Sequence, residues 1–208
     1  MSGEVRTHEG RATPCSHLAV PDHEQAGGRP RRRGAVVSSA DEMLDIVDQN
    51  DTVVGQARRA AAHAQGLRHR CVFIQATDAQ GRVFVHRRTA TKLVFPSLYD
   101  MFVGGVVGAG EAYDDAALRE AEEELGVSGL PKPVPLFRFL FDDGAGRRWW
   151  SAVYEVQCDV PVRPQAEEIA WSAFLTEDEL QRRLDEWPWV PDGLEAYSRL
   201  QRFRETDR

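Results

Sequence analysis

Cysteine is scarce: Cys15, Cys71 and Cys158 are too few and too far apart for a disulfide framework, and none stands in a C-x-x-C pair of the kind that holds zinc. No run approaches the roughly 18 uninterrupted apolar residues of a membrane-spanning helix, and the N-terminus lacks a basic-then-apolar leader. No membrane partner and a cytoplasmic location are therefore expected. Positive charge is also short, with 26 Lys and Arg against 33 Asp and Glu and a net charge of −7. That balance argues against a dedicated nucleic-acid binder. The shortage is uneven, because residues 1–40 hold six Arg and four acids, leaving 20 basic against 29 acidic side chains in the rest. There is no internal repeat. What is present is 42% apolar content over 208 residues, enough for one core and hence one domain with tails.

Residues 1–40 mix Gly, Pro, Ser, His and Arg without period around GGRPRRRG and read as a disordered tail, which leaves 41–208 as the folded domain. Arg31, Arg32 and Arg33 in that tail read as solvated charges. From Glu42 the pattern tightens. Alternation on either side of QND predicts a hairpin with arms at 44–47 and 53–56, followed by a short helical turn over 60–64 that Gly66 ends. CVFIQATD and RVFVHRR, joined by Ala79, Gln80 and Gly81, predict a second hairpin rich in β-branched and aromatic residues. Pro96 breaks the segment that follows, and 101–103 read as a brief strand entering a loop at Gly104 and Gly105. After an acidic helix, PKPVPLFRFLFDD and RRWWSAVYEVQC predict two strands around a glycine turn, and IAWSAFL predicts another. Thr176 and Glu179 form a capping box opening a helix through Trp187, and a last helix is expected over about 192–205. This order predicts an α/β fold, a mixed sheet covered on both faces. Cys71 and Cys158 read as buried thiols, and Trp149, Trp150, Trp187 and Trp189 as mostly core, with a base-stacking pocket or a dimer face the alternative for a few of them.

The stretch GGVVGAGEAYDDAALREAEEELGV, from Gly104 to Val127, organises the rest. A helix with Asp114 as N-cap and Gly126 as its left-handed stop puts Glu120 and Glu124 about 40° apart and one turn from each other. Glu123 flanks that face, and Leu118, Ala121 and Leu125 lie on the side to be buried. With only Arg119 to offset them, the crowded glutamates cost a few tenths of a kcal/mol for each close pair. A hard dication would offset that cost, since Mg²⁺ prefers oxygen ligands and bridges one or two carboxylates to a substrate phosphate. A solvated acidic face is the alternative that the run alone leaves open.

The surrounding intervals favour the metal. Gly105, Glu111, Arg119, Glu120, Glu123, Glu124, Gly126 and Val127 match the Nudix box, G-x5-E-x7-R-E-U-x-E-E-x-G-U, at every fixed polar and glycine position. Ala121 is the one departure, standing where that family usually has a larger aliphatic residue. Over about residues 42–205 the chain therefore resembles a Nudix hydrolase. The resemblance implies an α/β/α sandwich and hydrolysis of a diphosphate linkage in a small molecule, such as a nucleoside diphosphate derivative, with Mg²⁺ or Mn²⁺. It makes Glu120 and Glu124 metal ligands together with the Gly105 carbonyl, and Glu123 a third ligand or a base. Arg119 is placed to orient Glu123, with Glu111 as the arginine's partner. Glu168, with Glu167 as alternate, resembles the family's base outside the box. Homodimers are common in such a superfamily.

Finer features resemble the branch of these hydrolases built like isopentenyl-diphosphate isomerase, namely the leader LDIVDQNDTVVGQARR and the pair His69 and Arg70. HRRTATK is similar to that isomerase's diphosphate contact. Arg87 and Arg88 point to opposite faces of one strand, so Arg88 with Lys92 is the expected phosphate pair. Isomerisation in that family uses a Cys in the loop just before the box, followed there by a metal-binding His, whereas FPSLYDMFVGGVV has neither. Cys71 lies on an earlier strand, and His63 and His69 are only faintly similar to the isomerase's other metal ligands. A non-catalytic nucleotide-sensing module is the third reading. Such modules commonly lose box carboxylates, and this chain keeps them all.

Overall fold

A computed structural model describes residues 39–206; the tail expected over 1–40, with Cys15 and the three arginines, lies outside them apart from Ser39 and Ala40. Strands β1 (Met43–Val47) and β2 (Val53–Arg58) pair antiparallel around a tight turn. There the Asp48 carboxylate accepts from Asn50 N and Thr52 N at 2.8 and 3.0 Å, which replaces the ladder bonds that the turn interrupts. Helix α1 (Arg59–Ala64) ends at Gly66, whose φ of +61° suits a residue without Cβ.

Next come β3 (His69–Thr77), β4 (Val83–Arg88), β5 (Tyr99–Asp100), β6 (Val103–Val106) and α2 (Tyr113–Leu125). They are followed by β7 (Val134–Asp142), β8 (Arg148–Gln157), β9 (Ile169–Leu175), α3 (Glu177–Leu184) and α4 (Pro191–Thr206). Seven of the strands make one mixed sheet around β3, which runs parallel to β8 from His69 opposite Trp149 to Thr77 opposite Gln157. The expected hairpin of β3 with β4 closes only at its turn, Thr77 opposite Val83. Along Cys71 to Ile74 the edge of β3 is taken by β6 instead, while β4 pairs along its length with β9. A strand edge accepts one neighbour at a time, and the more distant partners win here.

Gly104 and Gly105 therefore belong to a strand and not, as expected, to a loop: they pair opposite Phe73 and Val72. A Cβ at Gly104 would lie 2.0 Å from the Val72 carbonyl oxygen, at a φ of +154°, so only glycine lets the two strands approach there.

Alternation along β3 sends Val72, Ile74 and Ala76 to one face and Phe73 to the other. On the first face, Ala116, Ala117, Ala121 and Leu125 of α2 pack against the strands, joined by Ala152 and Tyr154. Ala121 is fully buried, and its small side chain brings α2 close to the sheet. Leu118, expected in this stripe, is only half-buried, and Ala117 takes its place. On the second face, Leu180 of α3 and Ala196, Tyr197 and Leu200 of α4 cover Phe73, Val85, Phe139 and Val153. The α/β/α sandwich is thus built as the element order implies.

The capping box at Thr176 and Glu179 forms in both directions, but α3 stops at Leu184 and does not reach Trp187. Glu186 N and Trp187 N both turn back to the Arg183 carbonyl, and Pro188 disfavours a helical residue before it. Cys158 is buried as expected; Cys71 as a whole residue is only partly buried, although its thiol is enclosed.

Candidate active site

The N-cap of α2 is Ala112, which offers no side-chain bond; Asp114, expected there, lies inside the first turn. Its carboxylate is taken by the Tyr154 hydroxyl at 2.8 Å and the Lys132 ammonium at 3.1 Å. The helix ends as expected. Gly126 sits at φ 64° and ψ 40°, its N–H donates to Glu123 O, and Val127 N donates to Glu122 O.

Between these ends, Glu120 and Glu124 face β6. Glu124 is 3% exposed; its Oε2 accepts from Gly104 N at 3.1 Å, and its Oε1 lies 3.5 Å from Lys92 Nζ. The Glu120 carboxylate rests on Gly105, where a Cβ would come within 2.6 Å of it. That glycine is a cradle which any side chain would fill. Glu123 points outward with its side chain 55% exposed.

Arg119 ties the group together. Its Nε and Nη2 donate to the two Glu111 oxygens at 2.8 and 2.9 Å, and its Nη1 donates to Glu120 Oε1 at 2.6 Å. Contact with Glu123 is 3.5 Å, so Arg119 fixes Glu111 and Glu120 more than the Glu123 it was expected to orient. The outward turn of Glu123 is the reason. Glu111 in turn accepts from Gly108 N at 2.8 Å, which pins the loop before the helix.

Lys92, expected to meet phosphate, stands between two carboxylates: its Nζ is 2.6 Å from Glu168 Oε2 as well as near Glu124. Arg88 Nη2 donates to Val94 O at 3.2 Å, while its buried Nε has no partner among the described residues. Arg87 points to the other side, donating to Ser97 O and lying 5.9 Å from the Tyr99 ring centre. The cleft of about 500 Å³ that results is lined by Arg88, Lys92, Gly104, Gly105, Arg119, Glu120, Glu123, Glu124, Glu167 and Glu168. Every site residue named from the sequence except Glu111 and Gly126 lines it. Those two hold its frame.

Burial pushes the Glu120 carboxyl up to about 7 against the pull of Arg119. Burial also raises Glu124; the Lys92 ammonium pulls against it, and the charges of Glu120 and Glu168 add to the rise. For Glu168, burial works upward too, but the Lys92 ammonium prevails and holds it below the usual carboxylate range. Two carboxyls that burial holds above their ordinary range even beside Arg119 and Lys92, next to a backbone cradle, suit a hard dication. Among the described residues no three His, Cys, Asp or Glu side chains form a closed cage. Mg²⁺ needs no such cage, since it keeps several waters and is usually held by one or two carboxylates with a substrate phosphate.

The NUDIX domain pattern matches residues 67–197. An uncharacterized Nudix hydrolase of Streptomyces coelicolor, SCO1686, is 73% identical over 169 residues, covering 81% of this chain and 93% of that protein. The uncharacterized Nudix hydrolase YfcD of Escherichia coli K12 is 39% identical over 155 residues, covering 74% of this chain and 84% of its own. The crystal structure of DR0079 from Deinococcus radiodurans superposes with a TM-score of 0.65 at 31% identity, over 76% of this chain and 98% of that one. The MutT protein from Methanosarcina mazei, at 17% identity and a TM-score of 0.54, shares the fold.

The chain belongs to the Nudix family. Within it the protein is a hydrolase acting on phosphoanhydride bonds, and its substrate is a small molecule. No helix among the described residues is long and apolar enough to cross a membrane.

Replacing Arg119 by Lys keeps the charge but loses the planar fork that grips Glu111 while reaching Glu120. Phosphoanhydride hydrolysis is expected to fall about 10- to 100-fold, the scale for losing a partner that orients functional carboxylates. Steady-state rates at saturating Mg²⁺ read this; a variant as fast as the parent removes Arg119 from the machinery.

One contact and one pair of residues escaped the sequence reading. The grip of Lys92 on Glu168 joins a loop to a segment 76 positions away, and no local pattern signals it. Asp100 and Asp192, both buried, also lie beside the cleft. Their only signal is an acid beside apolar runs, in YDMFV and in WVPDG.

Proposed function

We propose that the chain is a Mg²⁺- or Mn²⁺-dependent hydrolase that cleaves the diphosphate linkage of a nucleoside diphosphate derivative. The supporting observation is the seating of Glu120 on Gly105 and of Glu124 on the Gly104 N–H, in one cleft with Arg88 and Lys92. Glu120, Glu124 and the Gly105 carbonyl would hold the metal, with Glu123 free to join as a third ligand or to accept a proton. When bound, the dication neutralises phosphoryl charge and acidifies a water.

The other roles fall to side chains. Arg119 keeps Glu120 in place by holding it and Glu111 together. Glu168, ionised beside Lys92, is a base able to take a proton from the attacking water; Glu167, whose carbonyl accepts from Thr89, is its alternate. Arg88 has an unpartnered Nε to offer a phosphate oxygen, and Lys92 can turn from the carboxylates to the substrate. Burial pushes the Cys71 thiol far up, which disfavours a proton-shuttling isomerase built on it. A cytoplasmic homodimer acting on a free small molecule, with no nucleic acid or membrane partner, completes this reading.

A panel of nucleoside diphosphate derivatives with Mg²⁺ or Mn²⁺ tests it. Release of phosphate or nucleotide, together with calorimetric binding of the metal, is expected; no turnover on any of them, or rearrangement of isopentenyl diphosphate in their place, overturns it.

A further inference from the structure

A second cavity, of about 90 Å³, lies directly beneath Gly104 and Gly105 and shares Arg59, Arg88, Lys92 and Val94 with the carboxylate cleft. At about 15 Å³ for each water-sized position, it has room for roughly six, the size of one ring. Apolar side chains form much of its wall, but its polar groups are unusual. Asp100 and Asp192 line it and are 5% and 6% exposed. One Asp100 oxygen accepts from Phe102 N at 3.0 Å and one Asp192 oxygen from Gly193 N at 3.1 Å; the backbone N–H groups of Met101 and of Asp192 itself also serve the two carboxyls, whose remaining lone pairs can still take a donor. Gly193 lets α4 come this close, since a Cβ there would stand 2.7 Å from Asp100 Oδ1.

His69 and Trp149, 2% and 3% exposed, line the same cavity with ring centres 5.7 Å apart. His69 Nδ1 lies 3.0 Å from the Leu67 carbonyl and so carries the proton, which leaves Nε2 as an acceptor. That Nε2 and the Trp149 Nε1–H have no partner among the described residues. Unsatisfied buried polar atoms are costly, and a site that leaves them so is one that a polar ligand completes. Burial pushes Asp100 up to about 7, with the charge of Asp192 adding to it, and pushes Asp192 up to about 6. Near neutral pH the pair can thus both donate and accept.

We infer that this cavity receives the group attached to the diphosphate and selects a ring that presents hydrogen-bond donors to Asp100 and Asp192, as a pentose diol or an amino-bearing nucleobase does. The inference rests on the hydrolase reading for the position of the diphosphate above Gly105. Its chemistry is separate: an apolar chain of the same size would leave the His69 Nε2 and the Trp149 indole N–H unpaired and lay hydrocarbon against two carboxyls, so it is rejected.

The test uses products, so it does not depend on turnover. Indole N–H resonances of the ¹⁵N-labelled full chain are followed with Mg²⁺ present, the Trp149 signal being the one lost in Trp149→Phe. The probes are the four common nucleoside monophosphates, ribose 5-phosphate and pentyl phosphate. At least one nucleotide is expected to shift the Trp149 signal and pentyl phosphate to leave it in place. A matching shift with ribose 5-phosphate assigns the pocket to the sugar, and a shift with nucleotide alone assigns it to the base. Asp192→Asn and Asp100→Asn are each expected to weaken the shifting ligand about tenfold or more, the scale of a hydrogen bond to a charged group. The inference is overturned if pentyl phosphate shifts the signal as strongly, if no polar probe shifts it, or if both folded variants bind like the parent. A protein that binds nucleotide here but hydrolyses no diphosphate would overturn the proposed function and leave this inference standing.

Discussion

Glu124→Gln is expected to lower kcat for diphosphate hydrolysis by about a thousandfold, the upper range for removing one preorganised electrostatic group, while the protein stays folded. The amide has the shape of the carboxyl and keeps an oxygen for the Gly104 N–H at 3.1 Å. It loses the charge that a dication needs. Because burial raises the Glu124 and Glu120 carboxyls above their ordinary 4.5, the folded chain takes up protons that the unfolded chain does not. The stability they contribute is full below about 4.5 and is lost as pH rises through about 7 for Glu120 and about 8 for Glu124. Without added metal, the parent's Tm should therefore decline between pH 5 and 8, and the variant should keep part of what the parent loses. Initial rates at saturating Mg²⁺ and scanning calorimetry across that range read the two halves. Unchanged turnover would remove Glu124 from the ligand set, and identical pH slopes would remove its charge from the stability balance.

The second large effect belongs to a residue that touches no substrate. Gly126→Ala is expected to cost about 3 kcal/mol of folding free energy, at the upper end for single substitutions. Its φ of 64° alone costs an L-residue about 1 kcal/mol. A Cβ there would also fall 1.7 Å from the Arg163 carbonyl oxygen. That loop cannot step back freely, since Arg163 N donates to Leu125 O at 2.8 Å; moving it gives up about 1 kcal/mol more, and the packing beneath loosens. Urea denaturation measures the loss. A cost below about 1 kcal/mol would mean that the loop yields and that the contact does not hold the helix end.

Much of this architecture was legible because its signals are local. IAWSAFL became β9 to the residue, the capping box opened α3, and the alternation around QND became β1 and β2, since pattern and turn chemistry act within a few residues. The Glu120 and Glu124 spacing placed both carboxylates on one side of α2 for the same reason. What the sequence reading missed is decided across long stretches of chain. Asp114 is a sound N-cap by type, but a tyrosine hydroxyl 40 positions away claims it. The β3–β4 hairpin opens because β6 and β9 compete for its edges. Arg119 prefers Glu120 to Glu123 because packing against β6 turns one glutamate in and leaves the other out. The inner cavity draws His69, Asp100, Trp149 and Asp192 from four separate segments, and no window of sequence contains them together.

The parallel register of β3 with β8 has a consequence for how the molecule is made. His69 and Trp149 meet across about 80 residues of intervening chain, so β3 cannot complete its central pairing until β8 has left the ribosome. High contact order of this kind slows folding, and it delays the cavity wall in particular. Asp192 on α4 emerges later still, so the cavity beside the box glutamates is closed only when the last helix docks.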